Sequence, residues 1–488
     1  MDSLTMTNAM NHPLHIHLIG IGGSGLSAIA RLLLESGYTV SGSDRTLSPL
    51  AQELAQAGAQ VYSGHRAENI RGADLVVRSS AVTDDNVEVV AARAAGIPVL
   101  KRAQFLGRLM EGQQSIAVAG THGKTTTTAM ITWCLTQAGL DPSYIIGGTA
   151  KNLNGRNAHA GKGGVFTIEA DEYDRMFLGL NPDLIVISYL EHDHPDCYPT
   201  PEDYFAAFVA FIHRLKPGGT LLTSFDQPAA HQLAASAPEG VQVWTYGTHP
   251  EANYAAQNLR GNAAGGFDFE TVWRTGENAP VPLATLHLQV PGEHNVRNSL
   301  SALAAVHCHA LKNHLDVQPV LQAVAQALST FSGTGRRFDL RGEVDGITVI
   351  DDYAHHPTEI QATLAAARAR YPQRRIWALW QPHTFSRTRT LMDAFCNSFQ
   401  DADQVIVTEV YAAREQAQDF DNFSAAQVVQ HMAHPAVQFV PTLTAAGDAL
   451  LQALRPGDVL LVLSAGDADQ VSARILQELP QAKQVRRP

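Results

Sequence analysis

Ser115-Ile116-Ala117-Val118-Ala119, then Gly120-Thr121-His122-Gly123-Lys124-Thr125-Thr126, then the helical run on to Ala138, is the stretch whose reading decides the fold. A short apolar β-rich segment passes through a glycine turn straight into a helix over 125–138, which is how a parallel strand–helix–strand unit begins. Glycines in such a turn let backbone N–H groups close around a polyphosphate. A lysine neutralises charge at the β and γ phosphates, and the threonine after it offers a hydroxyl suited to Mg2+. Lys124 and Thr125 hold those two places, with Gly120, Thr121, His122, Gly123 and Thr126 completing the loop. Val118 stands where the longer loop of motor ATPases has its first glycine, so this loop is shorter. A tight turn with an incidental lysine is the bland alternative, and the strand before it and helix after it argue against that.

Downstream, the strand Val165–Ile168 delivers Glu169 to a strand end, followed by Ala170-Asp171-Glu172-Tyr173-Asp174. The strand Leu184–Ser188 is followed by Glu191-His192-Asp193-His194-Pro195-Asp196. Both clusters fall just past strand carboxyl ends, the edge where doubly wound sheets bind ligands. Carboxylate oxygens beside a phosphate suit Mg2+, and an imidazole suits a second metal. Each acid alone is more often a solvated loop residue; their coincidence with the phosphate loop singles out Glu169 and His194.

Upstream, His15–Ile19 runs into Gly20-Ile21-Gly22-Gly23-Ser24-Gly25 and the helical stretch Leu26–Glu35, with a second strand over Tyr38–Gly42 and Asp44 just beyond it. This is a G-x-G-x-x-G turn between strand and helix, a site for a pyrophosphate, with Asp44 where a ribose or base contact falls. NAD and a UDP-sugar present the same pyrophosphate, and the turn alone does not choose between them. Further strands at Leu75–Arg78 and Pro98–Leu100 continue the series. From Gly218 to about Gly292 short strands and turns mix without a clear topology, and Asn295–Leu311 reads as an Ala-rich helix with Asn295 as an N-cap by default. After a candidate hinge at Gly333–Gly335, four β-rich runs, Ile347–Ile350, Ile376–Leu379, Val405–Thr408 and Val459–Leu463, alternate with helical stretches as a third open parallel sheet. Two polar clusters follow the first two of these strands: Asp351-Asp352-Tyr353-Ala354-His355-His356-Pro357 and Gln381-Pro382-His383-Thr384-Phe385-Ser386-Arg387-Thr388. Together they suit a small zwitterion, with Arg387 pairing its carboxylate.

At 488 residues the chain exceeds one hydrophobic core and predicts about three domains. With 45% hydrophobic and 17% charged residues, disordered and low-complexity classes are excluded. A net charge of -12 argues against general nucleic-acid binding. The four cysteines, Cys134, Cys197, Cys308 and Cys396, form no C-x-x-C pair, which fits a reducing cytoplasm. Met1 to His12 carries no signal-peptide pattern, and no run is long and apolar enough for a membrane span.

Taken together these motifs resemble the Mur ligases, ATP-dependent amide-forming enzymes of peptidoglycan precursor synthesis. GIGGSG, GTHGKTTTT, EADE, the DH pair, GEHNVRN, GRRF, DDYAHHPTEI and QPH-x-x-SRT occur in the family's order over nearly the whole chain. The resemblance implies an α/β protein of three domains: a Rossmann-like UDP-sugar-binding unit over 1–113, a central P-loop ATPase-type unit over 114–332 and a Rossmann-like amino-acid-binding unit over 333–488. It implies that L-alanine is joined to UDP-N-acetylmuramate through an acyl-phosphate, with ATP and two Mg2+ ions, by a cytoplasmic monomer or weak homodimer. By matched position, Gly22, Gly23 and Ser24 would hold the UDP diphosphate, with Asp44, His65 and Ser80 near the nucleotide-sugar. Lys124 would touch the ATP phosphates, Thr125 one Mg2+, and Glu169 with His194 a second metal. Asn295 and Asn298 would face adenine, Arg337 the γ-phosphate and Asp352 the ATP ribose, while Tyr353, His355, His383 and Arg387 would surround alanine and its acceptor carboxylate. His194 and His355 are alternative bases for the amine.

Two departures stand out. Tyr173 replaces a more usual serine and points toward the related ligase that attaches a recycled tripeptide, and Thr384 replaces an arginine after QPH. A straight run from Phe177 to Pro182 into the next strand, together with QPH-x-x-SRT, favours alanine. A nicotinamide dehydrogenase would leave Gly120–Thr126 and Glu169 without a task. A nucleic-acid motor is opposed by the acidic balance, and a non-catalytic nucleotide-sugar binder by Lys124, Thr125 and Glu169.

Overall fold

The structure, a computed structural model, describes residues 13–276 and 278–484, so Met1 to His12 lie outside the described residues. Three sheets follow one another along the chain. The first is all parallel, with His15–Ile19 between Thr39–Asp44 and Leu75–Arg78, and with Gln60–Ser63 and Val99–Lys101 outside them. In the second, Gln114–Ala119 lies between Leu184–Ile187 and Val165–Glu169, all parallel. In the third, Val459–Ser464 lies between Ile347–Asp352 and Ile376–Gln381. Each glycine-rich turn therefore leaves a strand whose neighbours continue in opposite directions, where helices diverge and leave a crevice at the strands' carboxyl ends.

The central strands are apolar on both faces because helices cover both. One face of the central sheet packs on helices Lys124–Gln137, Glu293–Lys312 and Val317–Thr330 through Met130, Ile131, Leu300, Leu303 and Leu321. Its other face carries Ala117, Phe166 and Ile185 into a cluster that continues into the first sheet through Ile16, Leu18 and Leu26. The first two sheets thus share one apolar core. The third has its own cores, around Trp380 and Leu461 on one face and Leu460 and Ile475 on the other.

The segment after Gly218 resolves into two more parallel strands, Thr220–Ser224 and Gln242–Gly247, then an edge of Tyr254–Gly261, Phe267–Trp273 and Val281–His287 whose pairings are antiparallel. Its pattern is hard to read because one face of that edge is solvated. The turn at its first hairpin rests on Asn262, whose Oδ1 accepts from Ala264 N and Gly266 N. Asn295 is not a cap: the helix begins at Glu293 with Gly292 as N-cap, and Asn295 lies buried in the first turn, its Nδ2 donating to Pro291 O at 2.7 Å.

Candidate active site

Gly120 has φ +137°, and a Cβ there would collide with Ser188 and with the Tyr189 backbone, so the loop passes too close to the next strand end for any side chain. Gly123, in the left-handed region, caps the helix that begins at Lys124. The Lys124 ammonium donates to Gly120 O at 2.6 Å and to Glu172 Oε1 at 2.9 Å. Burial works against its charge, but Glu172, Asp171 and Glu169 outweigh that and raise its pKa. The lysine curls over the mouth of its own loop with its charge secured.

Glu169 accepts from the Thr125 hydroxyl at 3.0 Å and from Gly147 N at 2.7 Å, and burial raises its pKa. His194 stands with a different acid: its Nε2 is 3.5 Å from Glu172 Oε1. No hydrogen bond or ion pair joins His194 to Glu169 among the described residues. Thr125 thus stands with Glu169, and His194 with Glu172, which also holds Lys124. Glu172 Oε2 is buried without a hydrogen-bond partner. An orphaned carboxylate oxygen next to Lys124, whose charge Glu169 also stabilises, fits a hard divalent cation.

Across a crevice, the third sheet presents its strand ends to this loop. A cavity of about 550 Å3 between them is lined by His122, Gly123, Thr125, Thr126, Asn295, Asn298, Arg337 and Asp352, among others. Eight residues expected around ATP thus meet in a single space large enough for a nucleotide. Asn298 Nδ2 donates to Asn295 Oδ1 at 3.1 Å, and the Arg337 guanidinium donates to Glu359 at 3.2 Å. Both Asp352 oxygens already accept from backbone, one from Phe338 N at 2.7 Å and the other from Ala354 N at 2.8 Å. Burial lifts its pKa to about 6.

The crevice is bridged by charge rather than by apolar packing. His122 lies between Glu191, which it touches through Nε2, and Glu359, 3.1 Å from Nδ1, while His356 Nδ1 is 3.1 Å from the same Glu191 oxygen. Burial disfavours the His122 imidazolium, but Glu359 and Glu191 outweigh it and hold its pKa at about 9. The sign follows from linkage: a raised histidine pKa stabilises the assembled state fully below its ordinary 6.5, and this is lost as pH rises through about 9. Thermal unfolding midpoints should accordingly fall between pH 7 and 10, and less steeply in His122→Asn. An equal slope in both proteins would contradict the assignment.

Arg387 is more deeply committed than expected. Only 3% exposed, it donates from Nε to Asp193 at 2.8 Å, and its Nη1 and Nη2 lie 3.1 Å from His383 Nδ1 and 3.4 Å from His194 Nδ1. The rings of Tyr353 and His355 and those of His355 and His383 stand edge to face, 5.4 and 5.9 Å apart. Burial, reinforced by Arg387, lowers His383 to about 4; burial likewise carries His355 to about 3 against the pull of Glu359. Both rings are therefore uncharged at neutral pH. His194 is shifted the other way, its pKa raised by Asp193 and Glu172 against its burial. Tyr173 packs edge-on to His194, donates to Asp196 at 3.0 Å and lies under the Arg414 guanidinium at 4.1 Å. Thr384 sits at φ +67° before the helix Phe385–Thr390, its N–H donating to Tyr411 O at 3.0 Å.

In the first sheet Gly22 N donates to Asp44 Oδ2 at 2.9 Å, and Gly23 caps the helix Ser24–Glu35 without any side-chain bond. Gly22, Gly23, Ser24 and Asp44 thus gather at one strand edge, and His65 joins them through Ser43, 2.9 Å from its Nδ1. Ser80 lies past the end of Leu75–Arg78, at the same edge. Sequence reasoning missed Glu172, Asp193, Glu191 and Glu359 as site residues. All four stood inside motifs already singled out, and what separates them is their partners from distant parts of the chain, which no local pattern carries.

The family description "Mur ligase family, catalytic domain" matches residues 15–114, "Mur ligase middle domain" residues 118–306, and "Mur ligase, glutamate ligase domain" residues 336–466. The chain is 43% identical over 479 residues to the UDP-N-acetylmuramate--L-alanine ligase of Roseiflexus sp., covering 96% of this chain and all of that one. Among solved structures, UDP-N-acetylmuramate-alanine ligase from Thermotoga maritima superposes with TM-score 0.75 at 28% identity, over 97% of this chain and 100% of that one. A murein peptide ligase from Psychrobacter arcticus superposes with TM-score 0.70 at 26% identity, over 96% and 98%.

Proposed function

This chain belongs to the Mur ligase family, and from that premise we propose that it joins L-alanine to UDP-N-acetylmuramate, using ATP, to form UDP-N-acetylmuramoyl-L-alanine, ADP and phosphate in peptidoglycan precursor synthesis. Full-length relatives at about 40% identity that carry the alanine-adding name support this choice over tripeptide attachment. The observation that carries the reading is an unbroken chain of polar contacts from the phosphate loop to the C-terminal clusters. It runs from Lys124 to Glu172 at 2.9 Å, to His194 at 3.5 Å, to Arg387 at 3.4 Å, to His383 at 3.1 Å. Phosphoryl transfer and then amine addition at the same carboxylate require the two regions to adjoin.

A carboxylate does not acylate an amine at neutral pH because its oxygen leaves poorly. The lactyl carboxylate of the sugar attacks the γ-phosphorus, the bond to the β–γ bridging oxygen breaks, and ADP departs. The alanine amine then adds to the acyl carbon, and orthophosphate leaves with one former carboxylate oxygen. Positioning and charge neutralisation are the protein's main contributions. Lys124 and Arg337 neutralise the phosphates, and the loop backbone orients them. Thr125 would hold one Mg2+ ion and Glu169 with His194 a second, ions which when bound polarise phosphoryl oxygens and screen their charge. The uncharged His355 and His383 rings receive the ammonium without repelling it, His194 and His355 are the alternative acceptors of the proton it must lose before it attacks, and Arg387 faces the alanine carboxylate. Asn295, Asn298 and Asp352 take the adenosine side. Gly22, Gly23, Ser24, Asp44, His65 and Ser80 take the UDP-sugar, which the first unit, 1–113, presents to the second, 114–332, while the third, 333–488, brings alanine.

No helix among the described residues is long and apolar enough to cross a membrane. A cytoplasmic monomer or weak homodimer fits this reaction. Purified protein with ATP, Mg2+ and UDP-N-acetylmuramate should release phosphate on adding L-alanine and yield a product heavier by one alanyl residue. Release only with the tripeptide would overturn the alanine assignment.

A further inference from the structure

Glu88 is wholly buried in the first sheet's domain and has no part in the steps described above. Its Oε2 accepts from the Ser43 hydroxyl at 2.5 Å and lies 3.5 Å from His17 Nε2, while Oε1 accepts from Asn69 Nδ2 at 2.6 Å and from Arg66 N at 3.1 Å. This dense set of donors outweighs burial and holds the carboxyl at about 2, so it is ionised and accepts only. The single Ser43 proton is therefore spent on Glu88. Toward His65 Nδ1, 2.9 Å away, the Ser43 oxygen is left with lone pairs only. Two lone pairs at that distance repel, and Glu88 Oε2 itself stands 3.6 Å from the same Nδ1, so Nδ1 carries a proton and, with one proton on the ring, Nε2 is the acceptor. Among the described residues no hydrogen bond to His65 Nε2 is found, and the side chain is 17% exposed.

The same serine is joined to the phosphate turn: its carbonyl accepts from Gly20 N at 2.8 Å and Ile21 N at 3.1 Å. Moving outward from that turn across the sheet, the strand ends present first Gly20 to Ser24, then Asp44, then His65, which follows Gln60–Ser63. Diphosphate, ribose and base follow one another in that order in a nucleotide. A carboxylate at Asp44 suits ribose hydroxyls, which leaves the base for His65.

We propose that Glu88, acting through Ser43, fixes His65 as an Nδ1–H imidazole whose Nε2 accepts a hydrogen bond from the uracil imide N–H, so that the site reads uracil and rejects cytosine. Cytosine carries a lone pair at that ring nitrogen and would face the Nε2 lone pair directly. Glu88 and Ser43 are positioning residues. The inference rests on the reading that this domain holds a UDP-sugar.

Two measurements on the full chain test it. In 15N-histidine spectra at neutral pH, the His65 signals, identified by their loss in His65→Gln, should show a protonated Nδ1 and an unprotonated Nε2. A protonated Nε2, alone or together with Nδ1, would overturn the proposal without any variant of the relay. In calorimetry, UDP should bind wild type about tenfold or more tighter than CDP, the difference one buried hydrogen bond makes. Ser43→Ala should shrink that ratio to about threefold or less while leaving the KM for ATP unchanged. A Ser43→Ala protein that is less stable yet keeps the full UDP/CDP ratio would reduce the relay to a structural role and overturn the proposal. Failure of wild type to bind UDP at all would instead overturn the underlying UDP-sugar reading, and the inference with it.

Discussion

Lys124→Ala should lower alanine-dependent phosphate release by about 10^3-fold, the scale of removing a preorganised charge from a transition state that spreads negative charge over phosphoryl oxygens. The ammonium sits 2.6 Å from Gly120 O at the mouth of the loop and 2.9 Å from Glu172 Oε1, with no slack for another residue to replace it. Its loss also leaves Glu172, 1% exposed, with a weaker set of partners. Some loss of stability is expected for an uncompensated buried carboxylate, and the double variant Lys124→Met/Glu172→Gln should recover stability without recovering turnover. UDP binding should survive, because the diphosphate turn belongs to a different sheet from the loop. Turnover within tenfold of wild type would remove Lys124 from the chemistry, and loss of UDP binding in a folded variant would contradict separate sites.

Arg387→Ala should raise the KM for alanine by about a hundredfold, corresponding to about 3 kcal/mol for losing a charge-assisted contact to the substrate carboxylate. Its guanidinium joins three groups at once, Asp193 and His194 from the central sheet and His383 from its own. Removing it leaves Asp193, itself 3% exposed, with only His194 beside it, 3.6 Å away. Arg387→Lys should not rescue, because a point charge replaces a fork that reaches three partners. Asp193→Asn should reproduce much of the defect, and the double variant Asp193→Ala/Arg387→Ala should be less impaired than additivity predicts. Since the first two sheets share an apolar core while the third meets them through charged side chains, the defect should appear in alanine KM and in its salt dependence, with UDP affinity unchanged. Additive effects of the two substitutions would show that the pair does not couple the sites.

The features legible in the sequence are those written in consecutive residues. Gly120 and Gly123, Lys124 and Thr125 need only a strand before and a helix after to announce a phosphate loop, and the GIGGSG turn is announced in the same way. Strand ends were equally legible, which is why Glu169, His194, His355 and His383 fall at the sheet edges where they were expected. The partner of each was not legible. Asp193 and Arg387 are 194 residues apart, and His122 and Glu359 are 237 apart, so their pairing is a product of how the sheets face each other. Glu172, the partner of both Lys124 and His194, went unread because no local pattern reveals its burial against Tyr198 and Tyr204. Tyr173, a departure in the sequence, has a physical place as a bridge between Asp196 and Arg414 across the crevice. Asn295 misled because a polar residue near a helix start is ordinarily a cap, whereas here glycine does that work and the asparagine enters the helix.

The account's central claim is that ATP activates the sugar's own carboxylate. UDP-N-acetylmuramate labelled with 18O in the lactyl carboxylate, turned over with ATP and L-alanine, should deliver one labelled oxygen to each orthophosphate released. Orthophosphate free of label, with the amide formed all the same, would contradict it.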